Sequence, residues 1–310
     1  MIDKIKKGFR YLTDPDYRFM INAEAGRYDT MPDEAYLRRL YKSLTGRELD
    51  LEHPTRINEK VQWMKLFDRR PEYVMMSDKY LVRPYIAEKI GARYLIPSLG
   101  VWERPEEIDF DALPDRFVLK CNHNSGKGMC ICKDKRQLDR KAVVAGLREG
   151  LAEDYFIKGR EWCYRDIPRK IVGEQYIEND DGTDISDYKV ICGDGEPRYV
   201  EVHRARFTAH TLDCYDLKGK RLDVSHYYNT SGILLPDHLP FWQEMLELSK
   251  VLAKDLPFVR VDWYYANGQL YFGELTFYLG SGFDEFVPDA FNELAGSWIT
   301  LPDGKGERMS

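Results

Sequence analysis

The sequence lacks several features that would assign a protein to a class at once. Its 310 residues contain no apolar run long enough to cross a lipid bilayer, so no membrane span is expected. The spacing Gly-x-x-x-x-Gly-Lys-Ser/Thr is absent, which disfavours a P-loop. No internal repeat is found, and the six cysteines include no Cys-x-x-Cys pair. Cys130 and Cys132 alternate along a strand-like segment, so reduced, buried thiols are predicted rather than metal ligands.

An excess of positive charge is also missing. The formal net charge is −6, whereas generic binding of nucleic acid needs a positive field, so nucleic acid is not an expected partner. The first ten residues are basic but lack the apolar stretch of a secretory signal, and we expect a cytoplasmic protein. Lys4, Lys6, Lys7 and Arg10 favour a short solvated helix, with a peripheral contact at the inner face of the membrane as the alternative.

The composition is that of a soluble globular protein, with 43% hydrophobic and 32% charged residues, and the length predicts two or three lobes around one cleft. Residues 31–91 are predicted to be helical. Ile57, Val61, Met64 and Phe67 form an apolar stripe at helical spacing. Another helix is predicted from about Ser77 to Ile90, with a kink or late start caused by a proline within it.

From residue 117 the apolar residues repeat every second position, which is typical of strands. Strands are predicted over 117–121 and 129–133, around a glycine-rich hairpin loop. A polar helix is predicted from about 134 to 154. Further elements are strands at 171–177, 187–193 and 197–204, a helix near 240–255, and a last strand pair at 258–266 and 269–277. The sequence therefore predicts an α+β fold with mostly antiparallel sheets.

The last strand pair carries the most informative residues. Alternation places Arg260, Asp262 and Tyr264 on one face. A two-residue turn at Asn267-Gly268 would send Glu274 to the face opposite Asp262. A turn of three or five residues would pair the two acids, so we predict an odd-length turn. Facing carboxylates require a cation between them, and Mg²⁺ fits; the alternative is a surface ion pair of Arg260 with either acid.

Two further segments carry basic or glycine-rich character. The loop 122–128 allows backbone N–H groups to converge on phosphate oxygens, and Lys120 would add a charge beside them. An ordinary glycine-rich hairpin explains this loop about as well. A basic cluster that could receive an acidic substrate, or simply be solvated, comprises Arg198, His203, Arg204 and Arg206.

Taken in this order, the motifs resemble the ATP-grasp superfamily and, within it, the TupA-like branch of teichuronopeptide biosynthesis. The similarity runs from about Asn58 to Gly282. It implies an ATP-grasp fold with an N-terminal helical or α/β lobe (1–112), a small antiparallel lid (113–186) and a C-terminal antiparallel sheet domain (187–310). It also implies ATP and Mg²⁺ as cofactors.

The resemblance further implies a role for individual residues. Lys79, which follows Asp78, and Lys120 would bind phosphates together with the lid loop at Ser125 and Gly126. The remaining implied roles are adenine binding by Glu174, Tyr176 and Ile177, ribose binding by Asp187, phosphate or substrate binding by Lys189, oxyanion stabilisation by Arg260, and metal binding by Asp262, Glu274 and Thr276. Thr276 stands where the superfamily usually has Asn.

The implied activity is ligation of a carboxylate to an amine through an acyl phosphate, with ADP and phosphate as products. The branch suggests a uronic acid or acidic peptide as one partner and an amino acid or amino sugar as the other, in contact with membrane-linked glycan precursors. One alternative is a glycosyltransferase of the same pathways, although no βαβ run surrounds the Asp-x-Asp form of Asp14-Pro15-Asp16. Another is a non-catalytic protein that binds nucleotide.

Overall fold

A computed structural model of the protein describes residues 2–181, 185–206 and 208–302, with side chains from residue 7 onward. Most of the helices lie in the first third of the chain and around the larger sheet. They are α1 (Ile2–Thr13), α2 (Pro15–Glu24), α3 (Asp33–Thr45), α4 (Ile57–Phe67), α5 (Glu72–Ser77), α6 (Val82–Lys89), α7 (Arg140–Ala152), α8 (Tyr155–Gly159), α9 (Trp242–Ala253) and α10 (Ala290–Ser297). None of them, within this part of the chain, combines the length and apolar composition that crossing a bilayer requires.

The strands form two antiparallel sheets, which confirms the predicted α+β class. The smaller sheet has the order β1-β4-β2-β3 and the larger has the order β7-β6-β5-β8-β9. Their strands are β1 (Ser98–Trp102), β2 (Phe117–Cys121), β3 (Cys130–Cys132), β4 (Ile171–Gln175), β5 (Asp187–Gly193), β6 (Glu196–Arg204), β7 (Thr211–Tyr215), β8 (Phe258–Ala266) and β9 (Gln269–Thr276). Strands β1 and β7 were not predicted.

Two hydrophobic cores hold these layers together. The larger core joins the helices α2 to α6 to the five-stranded sheet, and it includes the stripe predicted on α4. The smaller core lies between α7 and the four-stranded sheet. The late helix start predicted near Pro84 is confirmed, because α5 ends at Ser77 and α6 begins only at Val82. The division into segments 1–112, 113–186 and 187–310 stays a prediction.

The turn between β8 and β9 corrects the sequence analysis. Ala266 pairs with Gln269, so the turn has two residues and the predicted odd length is wrong. Asn267 and Gly268 have φ values of 50° and 81°, as in the hairpin turns that match strand twist. The register nevertheless shifts by one residue within the strand pair, at a β-bulge in β9. Trp263 pairs with Phe272, whereas Val261 pairs with Leu275.

The same turn holds the connection that leads from the small sheet to the large one. The Asn267 side chain donates to the carbonyl of Glu178 at 3.0 Å and accepts from the backbone N–H of Asp180 at 2.9 Å. The backbone N–H of Asn267 donates in turn to the side chain of Asn179. This connection is therefore fastened to the end of the β8–β9 hairpin.

A buried lysine fastens helix α4 to the segment that follows β9. Lys65 Nζ donates to the carbonyls of Gly159 (2.7 Å) and Ser281 (2.6 Å) and contacts Ser281 Oγ at 2.9 Å. These three oxygens satisfy the three donors of an ammonium group. Gly280, Ser281 and Gly282 all have positive φ values, between 51° and 69°, so this segment is a left-handed run. Lys65 supplies the hydrogen bonds that stabilise it.

We predict that Lys65→Met lowers the free energy of unfolding by about 3 kcal/mol, because it removes all three hydrogen bonds of a buried ammonium and leaves the Gly159 carbonyl without this donor. Lys250→Met is the matched control. Its ammonium forms an exposed pair with Glu196, and its loss should cost less than about 1 kcal/mol. Urea unfolding of both variants measures the difference, and equal losses would contradict the proposed clamp.

Candidate active site

A row of charged side chains crosses one face of the five-stranded sheet. Glu201 on β6 lies directly opposite Lys189 on β5, and Lys189 lies opposite Asp262 on β8. Directly paired residues project to the same face, so their side chains are neighbours. Val259 and Val261 on the opposite face are completely buried. The predicted alternation of β8 is thus confirmed, and it places the charges on the face opposite Val259 and Val261.

The guanidinium of Arg260 lies at the centre of this row. Its Nε and Nη2 atoms donate to the two oxygens of Asp262 at 2.7 and 2.8 Å, and Nη2 also donates to Glu274 at 3.3 Å. Burial opposes its charge, but Asp262 and then Glu274 raise the pKa of Arg260 above its ordinary value. One cation therefore joins the two acids that were predicted to meet, and the bulge is what brings them to one face.

Lys79 connects this cluster to the loop that follows β2. Its ammonium donates to the carbonyl of Asn124 at 2.7 Å and lies 3.6 Å from Glu274. Although burial works against ionisation, Lys79 and Arg260 hold the pKa of Glu274 below its ordinary value. Asp78 has a structural role instead. Its carboxylate accepts hydrogen bonds from the backbone N–H groups of Tyr80 and Leu81, just before α6. Only the lysine of this pair reaches the site.

Asp187 and Lys189 form the next part of the row. Lys189 donates to Asp262 and lies 3.0 Å from Asp187, which also accepts from Arg206 at 2.7 Å. Burial raises the pKa of Asp187, but Lys189 and Arg206 outweigh it and hold the carboxyl below its usual range. The second oxygen of Asp187 is buried without a hydrogen-bond partner. One acceptor position of this carboxylate is therefore available to a ligand hydroxyl.

The residues predicted for adenine lie on and after β4, in a second charged group. Glu174 is buried, and its oxygens lie 2.6 Å from Lys120 and 3.5 Å from Arg83. Tyr176 and Ile177 are half-buried in the connection that leaves β4. Two cations thus share one carboxylate, and Lys120 is already engaged by Glu174.

The predicted hairpin around residues 122–128 is confirmed by the pairing of Phe117 with Cys132. Ser125 and Gly126 are exposed at its tip, and a φ of 83° at Gly126 is readily adopted only by glycine. The side chain of Ser125 is hydrogen-bonded to Tyr155 at the start of α8, so α8 touches this tip. The loop therefore lies over the site. Ser125 and Gly126 at its tip are uncharged.

The basic cluster predicted around β6 is divided by the structure. Arg206 binds Asp187 and belongs to the site, and His203 lies on the same face beside Glu201. Arg204 instead donates to Asp213 at 3.1 Å, and Arg198 donates to a backbone carbonyl. Sequence reasoning assigned no role to Arg83 or Glu201, because no spacing motif marks them.

Cationic side chains are concentrated at the site, although the whole chain is acidic. Six cationic side chains lie against four carboxylates, namely Lys79, Arg83, Lys120, Lys189, Arg206 and Arg260 against Glu174, Asp187, Asp262 and Glu274. Clusters of Lys and Arg are the usual receptors for phosphate groups. The arrangement suits a polyanionic ligand that enters between the sheet face and the overhanging loop.

The acidic corner has the donor set that a hard cation prefers. Asp262 and Glu274 are close enough to share Arg260, and Thr276 pairs with Arg260 across the strands, with its hydroxyl buried and lacking a hydrogen-bond partner. Magnesium binds oxygen ligands and is usually held by one or two carboxylates together with substrate phosphates. The chemistry of these residues fits such an ion, which Asp262 and Glu274 would hold with Thr276 as an additional oxygen.

The combination of two antiparallel sheets, a glycine-rich overhanging loop and an Arg-x-Asp strand facing a Glu-bearing strand is that of the ATP-grasp class. The family model described as TupA-like ATPgrasp matches residues 59–300. The chain therefore belongs to the TupA-like ATP-grasp family, as the resemblance noted in the sequence had implied. No curated protein sequence gave a significant match.

Several solved structures are similar to this chain at low sequence identity. D-alanine–D-alanine ligase from Helicobacter pylori is 16% identical, with a TM-score of 0.47 over 79% of this chain and 69% of that one. The Bacillus anthracis enzyme complexed with ATP is 15% identical, with a TM-score of 0.38 over 65% and 53%. D-cycloserine synthetase DcsG is 14% identical, with a TM-score of 0.38 over 66% and 62%. The chain thus spans only about half the length of the Bacillus enzyme.

The bulge yields a prediction about Gly273. A Cβ added at this glycine would lie 3.1 Å from the Asp262 carbonyl oxygen and 3.2 Å from the Tyr264 ring. We expect Gly273→Ala to destabilise the protein by about 1 kcal/mol, since the strand backbone must shift. Gly146→Ala in α7 is the control. No atom lies within 4 Å of a Cβ added at Gly146, and alanine should stabilise the helix by about 0.5 kcal/mol or more. Urea unfolding of both variants should therefore give opposite signs, and the same sign would contradict this account of the bulge.

Proposed function

We propose that the protein is an ATP-dependent carboxylate–amine ligase. In this reaction ATP phosphorylates a substrate carboxylate, an amine then displaces the phosphate, and an amide, ADP and phosphate are released. The main support is the position of Arg260, which bonds to Asp262 and Glu274 on one sheet face. Membership of the ATP-grasp family gives this cluster a chemical context. The fold by itself does not dictate the acceptor.

The cationic residues supply the binding energy and the orientation for this chemistry. Lys79 and Lys120 are proposed to bind the ATP phosphates, with the backbone of the loop at Ser125 and Gly126 beside them. Lys189 lies between Asp187 and Asp262, where it can face either a phosphate or the activated carboxylate. Holding two reactants in a productive geometry contributes much of the acceleration of a bimolecular reaction.

Arg260 is proposed to stabilise the oxyanion that develops when the amine attacks the acyl phosphate. Its Nε and Nη2 atoms are fixed by Asp262, so the guanidinium does not have to reorganise during the reaction. A bound Mg²⁺ would supply charge neutralisation of the phosphates, held by Asp262 and Glu274 with Thr276 as the third oxygen. Closure of the loop over the site would keep water away from the acyl phosphate.

The nucleoside part of ATP is proposed to lie near the connection between the sheets. Tyr176 and Ile177 would contact adenine through their backbone, beside Glu174, and the free oxygen of Asp187 would accept a ribose hydroxyl. Glu174 and Asp187 are both already paired with cations. The assignment of Asp187 is therefore supported by its unpartnered oxygen, whereas that of Glu174 follows from the family resemblance.

The substrates are proposed by analogy with the family's name. A uronic acid or acidic peptide would provide the carboxylate, and an amino acid or amino sugar would provide the amine, in polysaccharide assembly at the cytoplasmic side of the membrane.

Phe9 and Leu12 on the basic helix α1 are 67% and 73% exposed, which supports a peripheral contact with membrane-linked precursors. Stronger sedimentation with anionic than with neutral vesicles would test this contact, and equal sedimentation would contradict it.

Release of ADP tests the proposed reaction directly. Purified protein should release ADP from Mg-ATP only when a suitable carboxylate and amine are both present, and Glu274→Gln should reduce this rate by about 10²-fold or more. The Gln variant keeps the shape of the side chain but loses the charge beside Arg260 and Lys79. Screening acidic sugars and peptides against amine donors identifies the substrates.

Glu244→Gln is the matched control for this substitution. Glu244 is a partly exposed acid that binds Arg93 and Tyr94, outside the charged row. Its variant should keep the normal rate. An unchanged rate in Glu274→Gln would show that the metal assignment is wrong, and binding of a nucleotide sugar without ATP turnover would favour the glycosyltransferase alternative.

A further inference from the structure

A second group of potential ligands lies on the same sheet face, away from the acids that we assign to magnesium. One ligand atom each of Glu201, Cys214 and His226 lies within 4.8 Å of the others, and all three residues are buried. Glu201 and Cys214 are directly paired across β6 and β7, so their side chains are neighbours by strand register. His226 comes from the segment that follows β7. Three different regions of the chain therefore converge on one point.

The histidine is held in place before any ligand arrives. Ser225 and Val287 exchange both backbone hydrogen bonds, at 2.9 and 2.8 Å, which fixes the segment next to His226. The imidazole packs against the ring of Phe286, with centroids 4.4 Å apart. Its Nε2 lies 3.0 Å from Glu201, and its Nδ1 is buried without a partner. One nitrogen of this ring thus still lacks the interaction that a buried polar atom normally has.

We propose that Glu201, Cys214 and His226 form a binding site for a divalent transition-metal ion of the zinc type. A carboxylate oxygen, an imidazole nitrogen and a thiolate sulfur are a ligand set that Zn²⁺ accepts. Mg²⁺ and Ca²⁺ prefer oxygen ligands alone, so this site differs in chemistry from the acids beside Arg260. The two ions would occupy one sheet face without competing for ligands.

A bound divalent ion would replace the ion pair of His226 with Glu201 and leave the cluster neutral. With Zn²⁺ bound, a carboxylate, a thiolate and a neutral imidazole give a neutral group, as a dry interior requires. The thiol proton and one imidazole proton leave to solvent when the ion enters.

Neighbouring side chains already orient the carboxylate. The hydroxyl of Tyr199 donates to Glu201 at 3.0 Å, and His203 lies 3.5 Å from the other oxygen of Glu201. Such contacts fix the direction of a metal ligand and are typical of metal sites. Three protein ligands leave one position of a tetrahedron for water or another donor. The site would also fasten the segment around His226 to the sheet.

Metal loading of the whole chain in the absence of ATP tests this proposal. The protein is treated with chelator, supplied with Zn²⁺ or Co²⁺, and freed of excess ion by gel filtration. We expect one equivalent of metal per chain, and for Co²⁺ a near-ultraviolet sulfur-to-metal charge-transfer band. Folded wild-type protein that binds no stoichiometric metal, or whose Co²⁺ spectrum lacks this band, would overturn the proposal.

Variants separate the proposed ligands from general effects of substitution. Cys214→Ser and His226→Gln should lose the bound metal, and Cys214→Ser should also lose the charge-transfer band. Cys192→Ser is the matched control, because Cys192 is an equally buried thiol paired with Val259 instead of Glu201. It should keep both signals. Metal retained by Cys214→Ser and His226→Gln, each shown to be folded by circular dichroism, would contradict the assignment.

Glu274→Gln separates this inference from the proposed ligase activity. This variant should lose ADP release yet keep its equivalent of Zn²⁺, because Glu274 lies on another strand beside Arg260. Loss of Zn²⁺ from this variant would mean that the ion binds at the magnesium acids, and the proposal for Glu201, Cys214 and His226 would be wrong. Failure of ADP release with intact zinc binding would affect only the ligase assignment.

Discussion

The bond between the guanidinium of Arg260 and the two carboxylates beside it is the interaction on which the site depends. Asp262 is buried, and its charge is tolerable there only because Arg260 and Lys189 surround it. Glu274 reaches the same guanidinium from the neighbouring strand only because the β-bulge shifts the register. The position of every other charged residue in the row follows from the cross-strand pairing of these strands.

Much of this arrangement could be predicted from alternation and from the family resemblance. Periodicity identified β5, β6, β8 and β9 closely, and it separated Arg260 and Asp262 from the buried face. The bulge does interrupt the alternation of β9, whose buried apolar residues are Leu270 and Phe272 before it and Leu275 after it. A single such break, at a glycine that was equally consistent with a regular strand, was not recognised in the sequence. We therefore attributed to the turn a shift in register that occurs within the strand pair.

The features that the sequence did not reveal are contacts between distant segments. Lys65 lies in the apolar sequence of α4, where its neighbours predict packing and give no sign that its ammonium holds a loop more than two hundred residues away. Glu201 and His226 likewise have no spacing motif. Strand β7 was missed because it is short and its residues mix polar and apolar types. Such pairings depend on three-dimensional packing, and neither propensity nor local pattern records them.

The two-residue turn also constrains how the protein can move. Because Asn267 holds the backbone at Glu178 and Asp180, the chain leaving the small sheet is anchored to the rigid tip of the β8–β9 hairpin. A swing of the small sheet must therefore pivot outside this anchored stretch, at Tyr176 and Ile177 on one side or close to Asp187 on the other. The residues proposed to hold the nucleoside would then sit at the axis of rotation, where displacement is smallest, while the tip of the glycine-rich loop would sweep the widest arc.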